Sequence, residues 1–223
     1  MAATTESSDL PSVYSTPYTP PSTTTYTPST STSTPINSTT TNNSFPFPTY
    51  TTFPPFYTLQ PNLQTRARQL ELWSTLLTTY CAYHHLFRLT LSTLPADLFS
   101  NPTIHRSLKP SDIRLVLDHL SKPESGPRVE WLAPSSKGET SSTCLVYWKS
   151  LSEWADLIYG WVDETGQKGA VLTIYELREG EGVGGREWVG MDEVFLRKVL
   201  GVLVKRGKAQ VFGLEESAGV KFF

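Results

Sequence analysis

The chain states one pattern of landmarks and then repeats it about 80 residues later. Trp73, Leu76, Leu77 and Tyr80 stand at i, i+3, i+4 and i+7, the spacing that places four apolar side chains on one helix face. Trp154, Leu157, Ile158 and Trp161 do the same 81 residues on. A second stripe, Ile113, Val116, Leu117 and Leu120, returns as Leu196, Val199, Leu200 and Leu203 at an offset of 83. Trp131 in "RVEWLA" and Val211 in "AQVF" differ by 80. One such stripe is common in any globular chain. Three landmarks in one order at nearly one offset predict tandem domains.

Each half reads helix, strand, helix, helix, strand, strand. In the first, Thr65 is the expected N-cap of the opening helix and "RLTLS" a short strand. "SNPTIHRS" reads as the start of a short helix at Pro102, and Ser111 as the cap of the next one. "RVEWLA" and "TCLVYW" follow as strands. In the second half, "EWADLIYGWV" is a helix stopped at Gly166 and Gly169, and "AVLTIYELREG" a strand running into a short helix. Asp192 and Gly207 bound the last helix, and "AQVF" and "GVKFF" close the chain as strands. This order is that of a winged helix, three helices on a small antiparallel sheet. The expected fold class is α+β: two tandem winged-helix domains, residues 63–150 and 151–223, preceded by a disordered Ser/Thr/Pro-rich tail. The short link from "YWKS" to "LSEW" predicts that the two domains pack together.

Residues 1–44 are mostly Ser, Thr, Pro and Asn with occasional Tyr and almost no aliphatic side chain, too little apolar surface to offset the entropy of ordering. The net charge of -2 demands no polyanionic partner. Cys81 and Cys144 form no paired framework and read as reduced, buried thiols of a cytosolic protein. The opening "MAATTESSDL" lacks the basic and apolar regions of a signal peptide. No apolar run reaches the roughly 18 residues of a membrane span, so membrane contact is expected to be peripheral or through partners.

Nucleic-acid binding in transcription is the alternative that a winged helix raises, but "SDIRLVLDHLSK" mixes Asp112, Arg114, Asp118 and Lys122 with no basic face. The basic end of the last helix, Lys205, Arg206 and Lys208, equally suits a helix C-terminus. "GEGVGG", residues 180–185, matches G-x-G-x-x-G but lacks the following amphipathic helix and the acid about 20 residues on, so it reads as a loop. His84, His85, His105 and His119 have no metal-ligand spacing, and no nucleophile has an orienting partner. No catalytic constellation, metal or cofactor is expected.

Residues 45–62 stand apart. "TYTTFPPFYTLQPN" sets Tyr50, Phe53, Phe56 and Tyr57 around Pro54 and Pro55, too proline-rich for a helix interior or a central strand. "PPFY" is a P-P-x-Y motif, the kind of extended segment that docks in aromatic grooves such as those of WW domains. Folding back of Phe53 and Phe56 on the first domain as a staple is the other reading, and composition does not choose between them.

"FPPFYTLQPNLQTRARQLELW", "LIYGWVDETGQKGAVLTIYELREG" and the ending "GVKFF" resemble the vacuolar protein-sorting-associated protein 25 family, the small subunits of ESCRT-II. The resemblance runs from about Phe53 to Phe223. It implies two tandem winged helices and a non-enzymatic adaptor in multivesicular-body sorting of ubiquitinated membrane cargo. It implies a cytoplasmic protein recruited peripherally to endosomal membranes, without direct nucleic-acid contact. In that family the N-terminal P-P-x-[YF] segment inserts into pockets on two larger winged-helix ESCRT-II subunits. Here Phe53, Pro54, Pro55, Phe56 and Tyr57 are the matching positions. Some members carry two such motifs in tandem, and the resemblance implies that the upstream "PFPTY", with Pro48 and Tyr50 in place and Phe47 where the first proline stands, is a degenerate first copy. The second winged helix of the family recruits an ESCRT-III subunit. Taken with the completeness of the two domains, the resemblance predicts that Phe56 and Tyr57 are exposed or loosely docked in the free chain.

Overall fold

The computed structural model describes residues 44–123, 126–134, 138–213 and 218–223. The expectation for the tail therefore lies outside the described residues, Ser44 apart.

Helix α1, Leu63–Tyr83, buries Gln69, Leu70, Trp73, Leu76, Leu77, Tyr80 and Cys81 along one face. Its cap is Asn62, not Thr65: Asn62 Oδ1 accepts from the backbone N–H groups of Gln64 and Thr65 at 3.0 and 3.1 Å. An Asx side chain before the first turn satisfies two free donors there, which leaves Thr65 inside the helix. At the other end His85 is left-handed (φ 53°), and Leu86 N–H returns to the Cys81 carbonyl at 2.8 Å. That is the Schellman closure, with histidine where glycine is usual.

Strand β1, Arg88–Thr90, follows, and then α2, Ala96–Phe99. The short helix thus lies before Pro102 rather than after it. Pro102–Ile104 is a single 3-10 turn, held by Asn101 and stopped by left-handed His105 (φ 51°), between the two-residue strands β2, Ser100–Asn101, and β3, Arg106–Ser107. Helix α3, Pro110–Leu120, has Lys109 at the cap position and Pro110 in its first turn, so Ser111 does not cap it. Strands β4, Val129–Trp131, and β5, Thr143–Val146, complete a sheet of order β1-β5-β4.

The second half repeats the plan. Helix α4, Leu151–Glu164, starts with a capping box of Ser150 and Glu153. It buries Trp154, Ala155, Ile158, Trp161 and Val162, and Leu157 of the expected stripe points outward. Strand β6, Val171–Thr173, leads into α5, Ile174–Glu179, which has its own capping box of Thr173 and Glu176. The glycine-rich stretch forms a 3-10 turn, Glu181–Val183, after a helix rather than a strand. Trp188 Nε1 donates to the Leu177 carbonyl at 3.1 Å and pins this loop. Helix α6, Glu193–Lys205, is capped by Asp192 and buries all four stripe residues, Leu196, Val199, Leu200 and Leu203. Strands β7, Ala209–Phe212, and β8, Gly219–Phe222, give a sheet of order β6-β8-β7. Both sheets put the last strand in the middle. The landmarks Trp131 and Val211 face Cys144 and Val220 on those central strands.

The halves are fused rather than merely adjacent. Phe87, Leu145 and Tyr147 come from the first half yet pack in the core of the second. Phe195 on α6 meets the Phe87 ring at 5.5 Å and the Tyr147 ring at 4.7 Å. Two ion pairs rim this junction: Arg88 with Asp192 and Lys198 with Glu130, each at 2.7 Å. Lys149 in the link meets Glu187 at 2.5 Å. His85 Nδ1 lies 3.1 Å from the Glu187 carbonyl, so this histidine also belongs to the junction.

Candidate partner-binding site

Proline-rich backbone has a donor deficit. Pro54, Pro55 and Pro61 bring carbonyls but no N–H, so other groups must satisfy the carbonyls turned away from water. The segment solves part of this locally by folding into two 3-10 turns, Thr49–Thr52 and Pro54–Tyr57. Phe56 N–H donates to the Phe53 carbonyl at 3.0 Å and Thr58 N–H to the Pro55 carbonyl at 3.2 Å. Helix α1 and Asn101 on β2 supply further donors. Gln69 Nε2 donates to the Phe56 and Thr58 carbonyls, both at 2.9 Å, and Trp73 Nε1 reaches the Phe56 carbonyl at 3.3 Å. Arg66 Nε donates to the Gln60 carbonyl at 2.7 Å, and Asn101 Nδ2 to the Thr51 carbonyl at 3.0 Å.

The turn sorts the aromatics into two classes. Phe56 and Tyr57 are each only 4% exposed and belong to the first core. Phe56 stacks on Trp73 with ring centroids 4.3 Å apart and planes 14° apart, and Tyr57 meets the same indole edge-on at 5.9 Å. Trp73 in turn stacks on Phe99 at 5.7 Å. Tyr50 is half-buried against Phe56 at 5.2 Å. Burial raises the phenols of Tyr50 and Tyr57 above their ordinary range, so both stay neutral. Upstream, Phe45 packs on Tyr80 and Tyr83 at 5.1 and 5.4 Å. Phe53, by contrast, is 61% exposed, and Pro54 and Pro55 are exposed beside it, while Pro48 is half-buried.

The expectation that Phe56 and Tyr57 are exposed or loosely docked is therefore corrected. Without them the inner face of Trp73 would meet water, and burying each ring is worth roughly 2–3 kcal/mol. The fold-back reading of Phe53 and Phe56 holds for Phe56 and fails for Phe53, and Tyr57 is buried with Phe56. A WW-type groove that reads an extended P-P-x-Y meets neither an extended backbone nor an accessible Tyr57. What the segment does present is a groove of about 390 Å³, flanked by Tyr50, Phe53 and Pro55 on one side and Arg68 and Leu72 on the other.

Gln69 escaped the sequence reading because it is polar. Its signal was position: it stands four residues before Trp73 on the buried face of α1. Thr51, also buried, closes on the Pro48 carbonyl at 2.7 Å and gives the first turn the shape of the second. Among the described residues no group of three His, Cys, Asp or Glu side chains could hold a metal ion. A larger groove of about 800 Å³ runs between β4 and the start of α4, but its acids Glu130 and Glu153 are occupied by Lys198 and by the α4 capping box.

The model of the ESCRT-II complex subunit family matches residues 50–192, starting at Tyr50 within this segment. The chain belongs to the ESCRT-II subunit family. Vacuolar protein-sorting-associated protein 25 from Xenopus laevis is 38% identical over 180 residues, covering 80% of this chain and 99% of that protein. The Homo sapiens protein of the same name is 38% identical over 181 residues, covering 81% and 98%. The solved structure of the VPS25 subunit of ESCRT-II aligns with a TM-score of 0.68 at 29% identity, over 79% of this chain and 98% of that one. A chain of the ESCRT-II complex VPS22/VPS25/VPS36 aligns equally, at a TM-score of 0.68 and 28% identity. About a fifth of this chain has no counterpart in these ESCRT-II relatives.

Proposed function

We propose that this chain is a non-enzymatic adaptor of an ESCRT-II assembly in endosomal trafficking. It joins the larger subunits, counterparts of VPS22 and VPS36, through the segment 45–62, and an ESCRT-III subunit through the second winged helix, residues 151–223. The observation that carries the partner site is Phe53. An aromatic side chain left 61% exposed on a turn fixed by four side chains of the first domain is a preformed anchor. Pro54, Pro55 and the half-buried Tyr50 and Pro48 frame it. Phe56 and Tyr57 serve the same site from beneath, as its foundation.

Membrane contact is assigned to the assembly. No helix among the described residues is long and apolar enough to cross a membrane. Recruitment to endosomes from the cytoplasm then runs through the partner subunits. The nucleic-acid reading loses three of its cations on α6 and its C-terminal cap, where Arg197 pairs with Glu193 at 2.7 Å, Lys198 with Glu130 at 2.7 Å and Arg206 with Asp156 at 2.5 Å. Cations neutralised in this way release few counterions on a polyanion.

The test is a titration of the full chain, wild type and Phe53→Ala, against co-expressed VPS22 and VPS36. Loss of a central aromatic anchor is expected to cost on the order of 2 kcal/mol in affinity with the fold intact. Equal affinity of the two proteins refutes the assignment of the site.

A further inference from the structure

We infer that Gln69 is the positioning residue of the partner-facing turn: its buried amide holds the main chain of residues 55–60 so that Phe53 projects outward. The inference rests on the partner site proposed above and adds to it the residue that builds it.

Gln69 is 5% exposed, and Thr51 is the other buried polar side chain among the described residues. A polar group is kept so deep only when it is fully used. Gln69 Nε2 faces three carbonyls, those of Phe56 and Thr58 at 2.9 Å and of Pro55 at 3.3 Å. Its Oε1 accepts from Gln60 N–H at 3.1 Å. One amide thus engages four main-chain groups on both sides of Tyr57. The chemistry is specific to this side chain. Glutamate has the reach but would turn only acceptors toward three carbonyls, and asparagine is one methylene shorter. An apolar residue fills the space, leaves the Gln60 N–H without its acceptor and takes one donor from each carbonyl, which Trp73 Nε1, Thr58 N–H and Gln60 Nε2 then satisfy alone. Gln69 borders the floor of the groove beside Phe53 but is only 5% exposed, and its amide is engaged with the segment's main chain. Its effect on binding is expected through the turn, which hydrogen exchange reads without any partner.

The experiment uses the full chain with Gln69→Leu and Gln69→Glu, and co-expressed VPS22 and VPS36 as the probe. Hydrogen exchange of peptides spanning residues 53–60 reports the turn without any partner. Exchange there is expected to speed up at least tenfold, while amides of α1 beyond Trp73 keep their protection. Affinity for the probe is expected to fall about tenfold, and further in Gln69→Glu. Adding Phe53→Ala to Gln69→Leu is expected to cost less than Phe53→Ala alone, because both act on one presented anchor. Should Gln69→Leu lose the fold, Gln69→Met, which keeps the unbranched chain, is read in the same way.

Unchanged exchange at residues 53–60 overturns the inference whatever happens to binding. A released turn with undiminished affinity, in a background where Phe53→Ala does weaken binding, overturns it as well. A released turn with neither variant weakening binding refutes the partner site instead, and the inference falls with it.

Discussion

Replacing Phe56 by alanine tests whether the Pro-aromatic segment is part of the first domain or a ligand lying on it. The ring is 96% removed from solvent and stacks on Trp73, with Tyr50 and Tyr57 against its other sides. Transfer of that side chain out of water is worth roughly 2–3 kcal/mol, and the void left over the indole adds to the loss. No hydrogen bond is lost, since Gln69 and Trp73 donate to the Phe56 main-chain carbonyl, which alanine keeps. The segment is a strap that can settle into part of the void, so the lower end of the usual range for Phe→Ala applies, about 3 kcal/mol. For two fused domains of this size that is a fall in Tm of roughly 6–12 °C. Phe53→Ala removes an exposed ring and should stay within about 0.5 kcal/mol of the wild type. Urea unfolding of the three proteins, followed by tryptophan fluorescence, measures both. A Phe56→Ala protein as stable as Phe53→Ala refutes the claim that the segment belongs to the core.

Other consequences can be checked on the same material. Burial alone would raise the Glu130 carboxyl, but hydrogen bonds from Lys198 and Tyr147 outweigh it and hold the group below the ordinary carboxylate range. A lowered folded-state value means stability present above the unfolded value near 4.5 and lost as pH falls through the folded one, so acid should loosen the junction. Glu130→Gln should flatten that part of the pH–stability profile, and a profile unchanged by the substitution contradicts the pairing. Burial raises both cysteine thiols, Cys144 to about 12, so neither should react with an aromatic disulfide reagent at pH 8 until the chain is unfolded. Rapid labelling of the native protein contradicts their placement in the core.

Much of the frame is legible in the sequence because helix periodicity and repetition are local signals that reinforce one another. The stripes on α1, α3 and α6 face inward residue for residue, and the 80-residue offset of Trp131 and Val211 corresponds to equivalent places in the two sheets. Leu157 failed because Ala155 and Val162 widen and turn the buried face of α4 away from it. Caps were mislaid where two candidates stood close together, as with Asn62 and Thr65. The segment was misjudged for a deeper reason. Its burial depends on contacts between residues 13 and 17 apart, Phe56 with Gln69 and Trp73, and no periodicity links an irregular strand of chain to a helix face. Pairing of Phe87, Leu145 and Tyr147 with the second core is hidden likewise, since Leu145 and Tyr147 already have a place in the strand "TCLVYW" and Phe87 lies just before "RLTLS" with no periodicity to place it. A polar residue on an apolar helix stripe, Gln69, was the legible clue that something proline-rich and short of donors lay against that face.

Hydroxyl-radical footprinting of the full chain, alone and assembled with VPS22 and VPS36, tests the division of labour among the aromatics directly. Phe53 should be oxidised readily in the free chain and protected on assembly, while Phe56 and Tyr57 are protected in both. Labelling of Phe56 and Tyr57 in the free chain, or of Phe53 in the assembly, would contradict it.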